Sequence, residues 1–182
     1  MPSITDKIKD MVTRRTIKHA ALMDKLSEFL AVERGGKLLY RNALQMVRDR
    51  EVMDKFQEFY EQTVRHEDIL SRIIRALGGD PEEMSQSAKM AEKKAEALLR
   101  TMQQTDGLSI KQVELNAIEN IVLAETKDHA DWELLGRIAR QTTDPHLSAI
   151  LKPAVSEVEA EEDEHLNWTK EKLSELVLAS MG

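Results

Sequence analysis

Carboxylate and imidazole side chains recur at helical spacing in this sequence. Glu162 and His165 form a Glu-x-x-His motif, and Glu125 and His129 lie four residues apart. Residues three or four positions apart share one face of a helix, so both side chains of each pair can reach a common point. The spacing therefore favours two helical segments that each present an oxygen and a nitrogen donor.

Two further ionisable residues, Glu33 and His66, each interrupt an otherwise apolar helical stripe. Taken singly, each feature has a purely structural explanation. His66 could be a hydrogen-bonded core histidine, Val32 could be the inward residue instead of Glu33, and Glu162-x-x-His165 could be solvated surface in the acidic run EAEEDEHL. Interruptions at mid-length in all four stripes are unlikely to arise independently. Their coincidence favours a shared site.

A shared site of this composition requires a compensating positive charge. A buried, unpaired carboxylate costs roughly several kcal/mol even after its surroundings relax. Glutamate oxygens and neutral histidine nitrogens are suitable ligands for iron, manganese or zinc. The predicted metal ligands are Glu33, His66, Glu125, His129, Glu162 and His165.

The elements that must position these residues are four amphipathic helices, indicated by apolar residues at spacings of three and four. They are predicted over residues of about 17–48, 51–77, 109–141 and 145–179. The third stripe, for example, consists of Leu115, Ile118, Val122, Glu125, His129, Trp132, Gly136 and Ala139. In each stripe the ionisable residues lie near the middle, so all four helices would contribute at one level.

Helix start signals support these bounds. Ser109 is followed three residues later by Gln112, which indicates a capping box, and Asp144 with Pro145 supplies a cap and a first-turn proline. Pro153 falls inside the last helix and lacks an amide donor, so it should kink that helix or split off its first turns. The apolar stripe continues in register across Pro153, which favours a kink.

A long connection, residues 80–108, follows Gly78-Gly79 and contains an alanine-rich stretch expected to be helical from about 86 to 104. A connection of this length can travel the length of a bundle, whereas the short links elsewhere make antiparallel hairpins. We therefore predict an all-α, antiparallel four-helix bundle with one long crossover that contains a short extra helix. It would form a single domain over 1–182, with 1–16 as an accessory segment.

Composition restricts the class of protein. There is no cysteine among the 182 residues, which excludes disulfides and thiolate-ligated metals. No run of about 18 apolar residues or signal-peptide core is present, so we expect a soluble, cytoplasmic protein without a membrane partner. The net charge of -7, with basic residues interspersed among acidic ones, argues against nucleic-acid binding.

The pattern resembles the ferritin-like di-iron carboxylate superfamily, in particular rubrerythrin-like and bacterioferritin-like bundles, over residues of roughly 20 to 177. The resemblance lies in FLAVERGGKLLYRNAL, QTVRHEDILSRIIRALGG, VLAETKDHADWELL and EAEEDEHLNW. It implies that Glu33 and Glu125 are the carboxylate ligands of the first and third helices and that His66 is the histidine of the second. It also implies that Tyr40 lies beside the metals. Trp132 is interpreted as a packing residue.

One position departs from the family pattern, because Thr63 stands where the second helix should carry a glutamate. A hydroxyl brings no charge and binds divalent ions poorly. Asp128 or Glu67 could restore the balance as additional ligands. The centre could thus be an altered two-metal site, or a single ion held mainly by the third and fourth helices.

The resemblance implies a protein that holds two iron or manganese ions and reacts with oxygen or peroxide, as an oxidoreductase or ferroxidase. The alternative is a single-metal or metal-free helical bundle that has lost redox chemistry and serves interactions. A third function, iron storage, would require a particle of many subunits. The family also suggests a homodimer, although no particular residue indicates one.

Overall fold

The computed structural model describes residues 3–5 and 13–182, and this part of the protein is all-α, as predicted. It contains five long helices and no β-strand. The helices are α1 (His19–Met46), α2 (Arg50–Ala76), α3 (Gln86–Gln103), α4 (Ile110–Gln141) and α5 (Pro145–Met181). In the predicted accessory segment 1–16, residues 1, 2 and 6–12 lie outside the described residues.

The predicted start signals are confirmed. The Ser109 side chain accepts a hydrogen bond from the Gln112 amide, and the Gln112 side chain accepts one from the Ser109 amide. Asp144 caps α5, with Pro145 in its first turn. Helix α5 is continuous through Pro153, so the proline does not split off the first turns.

The helices pack in a cycle in which α1 contacts α2, α2 contacts α5, α5 contacts α4, and α4 contacts α1. Helix α3 lies outside this cycle, mainly on α1 and less on α4. No helix in the described part of the chain has both the length and the apolar character needed to cross a membrane.

Two apolar clusters fill the space between the four cyclically packed helices. The first cluster is formed by buried residues within 22–30, 69–74, 132–139 and 147–158. The second cluster is formed by buried residues within 39–47, 52–59 and 117–121, together with Leu176 and with Met102 of α3. Along each helix, the predicted metal ligands lie between the residues of these two clusters.

The third predicted stripe is not buried throughout. Leu115, Val122 and His129 are only partly buried, whereas Ile118, Glu125 and Trp132 of the same stripe are buried. The partly buried positions recur at every seventh residue, at one edge of the buried face of α4. The inward ionisable residue after Glu125 is Asp128, three positions later, and not His129.

Candidate metal centre

The buried ionisable residues meet in two overlapping groups. The first consists of Glu33, His66 and Glu162, and the second of Glu125, Glu162 and His165. Within each group one oxygen or nitrogen atom per residue lies within 4.8 Å of the others. All five residues are buried, and Glu162 belongs to both groups. The four cyclically packed helices thus contribute to one centre.

Glu162 lies between the two histidines. Its Oε1 atom is 2.9 Å from His66 Nδ1 and 3.5 Å from His165 Nδ1. His66 Nδ1 is also 3.7 Å from Glu33 Oε1, and His165 Nδ1 is 3.3 Å from Glu125 Oε2. The histidines therefore both direct Nδ1 towards carboxylate oxygens.

These inward atoms lie as little as 2.9 Å from one another, but they form no well-aligned hydrogen bonds. Among the residues that the structure describes, the buried side-chain atoms of this region without a hydrogen bond are Glu33 Oε2, His66 Nδ1, Glu125 Oε2, Asp128 Oδ1, both Glu162 oxygens and His165 Nδ1. Buried polar atoms in folded proteins nearly always have a partner. These unpaired oxygen and nitrogen atoms could together hold a metal ion.

One oxygen of Glu33 and one oxygen of Glu125 accept hydrogen bonds from neighbouring aromatic side chains. Trp132 Nε1 donates to Glu33 Oε1 at 2.7 Å, and the Tyr40 hydroxyl donates to Glu125 Oε1 at 2.6 Å. Tyr40, predicted to lie beside the metals, thus contacts one of the candidate ligands. Trp132, interpreted from the sequence as a packing residue, also has a polar role, because it orients a carboxylate.

Each central histidine is oriented through its second ring nitrogen. His66 Nε2 lies 2.7 Å from Glu161 Oε2, and His165 Nε2 lies 2.6 Å from Gln62 Oε1. Since both partners are oxygen acceptors, each neutral ring would carry its proton on Nε2. The Nδ1 lone pair of each histidine is then free to bind a metal, which is how metal-ligating histidines are commonly fixed.

Burial and mutual repulsion raise the pKa values of three carboxyl groups in this region, those of Glu33, Asp128 and Glu162. Burial, followed by the charge of Glu125, raises the pKa of Glu162 to about 8. The pKa of Glu33 is well above its usual value through burial and the charge of Glu162, although Trp132 opposes the rise. Burial and the charge of Glu33 likewise raise the pKa of Asp128. In the absence of a cation, the folded chain resists full ionisation of this centre.

The two histidines respond differently to this environment. Burial lowers the pKa of His66, and this outweighs the opposing effect of Glu161. Burial alone would also lower the pKa of His165, but the charges of Glu125 and Glu162 raise it overall. The two groups of the centre are thus electrostatically unequal.

Three of the predicted ligands, His129, Asp128 and Glu67, lie outside both groups. His129 is directed away from the shared point, and its Nε2 lies 2.8 Å from Asp163 Oδ1. It follows Asp128 directly, and successive residues of a helix point about 100° apart. Glu67 instead forms ion pairs with Arg34 and Lys37, which lower its pKa although burial acts to raise it.

Thr63 does not replace the missing carboxylate. Its hydroxyl donates to the Phe59 carbonyl oxygen of its own helix at 2.9 Å. Asp128 is the better substitute, because it is buried beside Glu33 and has an unpaired oxygen. The structure thus favours Asp128 over Glu67 as the additional acidic residue of the centre.

Glu161, Gln62 and Trp132 were not predicted as parts of the centre. Glu161 directly precedes the predicted ligand Glu162, and Gln62 directly precedes Thr63, where the resemblance leads one to expect a glutamate. A search for hydrogen-bonding residues one position from the inward stripe would have found both as candidates. Trp132 could have been recognised by its indole N–H, a hydrogen-bond donor on the same predicted stripe as Glu125.

Comparison with known proteins identifies no relative. No protein-family model matches the sequence, and neither the curated proteins nor the solved structures contain a match. Support for a function therefore comes from the geometry of the buried centre.

Proposed function

We propose that the protein is a ferritin-like four-helix-bundle metalloprotein whose centre holds two divalent ions, iron or manganese, and reacts with oxygen or peroxide. The cyclic packing of α1, α2, α5 and α4, with a helical connection between the two halves, supports this proposal. The observation that carries it is the convergence of unpaired, buried donor atoms on Glu162, which is shared between two ligand groups.

The ligand set suits two similar ions. One would be held by Glu33 and His66, the other by Glu125 and His165, with Glu162 between them. Each ion then has carboxylate and imidazole ligands, a combination suited to iron and manganese. Glu162 is the only carboxylate that the two ligand groups share. Coordination positions on the two ions would therefore remain open for a small molecule.

The charges also match. Glu33, Glu125, Glu162 and Asp128 bring four negative charges when all are ionised, equal to the charge of two divalent cations. The raised pKa values show that without a cation this ionisation is unfavourable. Metal binding should therefore release protons from the centre.

The chain's own residues would orient the ligands and limit water. Tyr40 and Trp132 fix one oxygen of each outer carboxylate, and the Tyr40 hydroxyl keeps its proton because burial and Glu125 raise its pKa well above the usual value. The two apolar clusters enclose the centre along the helices. Ferrous ions, when bound, would supply electrons to oxygen or peroxide.

A second candidate is a single-metal or metal-free bundle without redox chemistry. It is favoured by Thr63, whose hydroxyl bonds to its own helix, and by the protonated state that the raised carboxyl pKa values allow. Metal stoichiometry and oxygen consumption separate the two candidates. A redox centre would consume oxygen over many turnovers after ferrous ion is added, whereas this second candidate would not.

The first test is elemental analysis of protein purified without chelator from iron- and manganese-supplemented medium. We expect about two metal ions per chain for the two-metal site. Glu162→Ala should lose the metal yet remain helical by circular dichroism, because the shared ligand and a buried charge disappear together.

The matched control is Glu157→Ala, an exposed position on the same helix, which should keep the metal content of the unmodified chain. A folded, unmodified protein with no iron or manganese would contradict the proposal. Full metal retention by Glu162→Ala would show that Glu162 is not the shared ligand.

A further inference from the structure

An apolar cavity lies between α1, α3 and α4, and none of its lining residues belongs to the candidate metal centre. Its volume is about 390 Å³, within the range of small-molecule sites. Its lining residues include Val32, Leu39, Ala91, Leu98, Leu123 and Ala124. Apart from Lys94 and Lys127, every lining residue is aliphatic or glycine.

Small residues account for the shape of the cavity. A Cβ atom at Gly35 would lie only 2.6 Å from the Ala95 Cβ, so α3 approaches α1 very closely at this point. Contact between α3 and α4 is less extensive, which leaves a gap on that side. The cavity is therefore open space between packed helices and continues the close α1–α3 contact.

The cavity and the candidate metal centre share helices α1 and α4. The lining residues Ala124 and Lys127 directly precede Glu125 and Asp128 in α4. Successive side chains of a helix point about 100° apart, so the cavity and the centre lie on different faces of α4. No lining residue of the cavity belongs to either ligand group, so a molecule bound there would displace no ligand.

The two lysines of the cavity differ. Lys127 is already paired with Asp131 and Glu28. Lys94 is exposed, and no ion pair is found for it within residues 3–5 and 13–182. Its neighbours three and four positions away in α3 include no acidic residue. Lys94 thus offers an uncompensated positive charge at an apolar cavity.

We propose that this cavity binds a single-chain amphiphile with a carboxylate head group, with the alkyl chain among the aliphatic residues and the head at Lys94. Leu123, 54% exposed, lies at the cavity and would be shielded from water by the chain. Burial of alkyl groups and a charge pair would both favour binding.

Calorimetric titration of the full chain with decanoate, below its micelle concentration, tests the proposal. We expect saturable binding of about one decanoate per chain and at least about tenfold weaker binding of decyltrimethylammonium, which has the same chain and the opposite charge. Lys94→Glu should weaken decanoate binding by about tenfold. Lys93→Glu, an exposed neighbour outside the cavity, should leave it unchanged.

A second pair of variants tests the apolar contact. Leu123→Gln should weaken decanoate binding by about fivefold, whereas Leu134→Gln, also exposed on α4 but outside the cavity, should not. Absent binding, equal binding of the cationic amphiphile, or equal effects of Lys93→Glu and Lys94→Glu would overturn the proposal. The proposal would also be overturned if the protein bound no decanoate and the Leu123→Gln variant lost self-association. That result would mean that the cavity face binds a second copy of the chain.

The outcome is separable from that of the metal test. Neither Lys94 nor Leu123 belongs to the ligand groups. Decanoate binding should therefore persist after treatment with a chelator, and loss of binding in the metal-free protein would contradict a cavity that is independent of the centre.

Discussion

The first apolar cluster and the candidate metal centre are both buried, but they differ in how completely their contacts are satisfied. In the cluster, side chains such as Leu26 and Leu151 are fully buried against other aliphatic groups. In the centre, Glu33 and Glu162 are equally inaccessible, yet they face oxygens and nitrogens without hydrogen-bond partners among the described residues.

Burial therefore has opposite energetic consequences in the two regions. Removing apolar surface from water stabilises the fold, and this contribution requires neither the titration of a side chain nor a bound ion. Removing carboxylates from water destabilises it unless a proton or a cation compensates. The apolar clusters should therefore set the stability of the fold, and the centre should set its response to metal and pH.

The largest expected effect comes from the apolar side of the comparison. Leu151→Ala should lower the free energy of unfolding by about 2–5 kcal/mol, because it removes a fully buried side chain and leaves a cavity. Denaturant titration measures the loss. The metal content of the folded fraction should not change, and loss of metal from well-folded Leu151→Ala would show that the two regions are not separable.

The centre should respond to pH in the metal-free protein. The folded pKa of Glu162 is about 8 against the usual 4.5, so the folded state keeps a proton that the unfolded state loses in between. Through Glu162 alone, the free energy of unfolding should therefore fall by about 2–3 kcal/mol as pH rises from about 5.5 to 7.5, and the raised pKa values of Glu33 and Asp128 act in the same direction. The raised pKa of His165 acts in the same direction, while the lowered pKa of His66 opposes it only below about 6.5.

Glu162→Gln is the control for this pH dependence, because a neutral side chain of similar shape removes the titrating group. Its stability should vary less with pH than that of the unmodified chain, and chemical denaturation at several pH values measures both. Saturation of the unmodified protein with manganese should also suppress the fall. An unchanged pH dependence in Glu162→Gln would contradict the assignment of this effect to the centre.

The smallest expected effect concerns the hydrogen bond from the Tyr40 hydroxyl to Glu125. Tyr40→Phe removes the donor to Glu125 Oε1 and should lower the free energy of unfolding by about 1 kcal/mol. Tyr60→Phe, at a partly exposed position, serves as the control and should change it less. Equal effects in thermal unfolding would mean that the Tyr40 hydroxyl contributes no specific support to the carboxylate.

The sequence predicts the helices to within two residues at each end, because caps such as Ser109 and Asp144 and the apolar periodicity act locally. It also predicts five residues that meet at the centre. It offers Asp128 only as an additional ligand beside His129, because which of these two neighbouring residues faces inward depends on how α4 is rotated against the other helices. The cavity beside α3 was also beyond sequence reasoning, because a gap depends on helix separation.

The run of four consecutive acidic residues in α5, residues 161–164, has a consequence for helix register. Glu161 contacts His66, Glu162 faces the centre, and Asp163 contacts His129, since successive side chains point about 100° apart. A slip of α5 by one position would still turn a carboxylate inward, so acidity alone cannot define the alignment. Only one of these alignments also brings the His165 imidazole inward, and this makes His165 the residue that distinguishes the native setting of α5 from its nearest competitors.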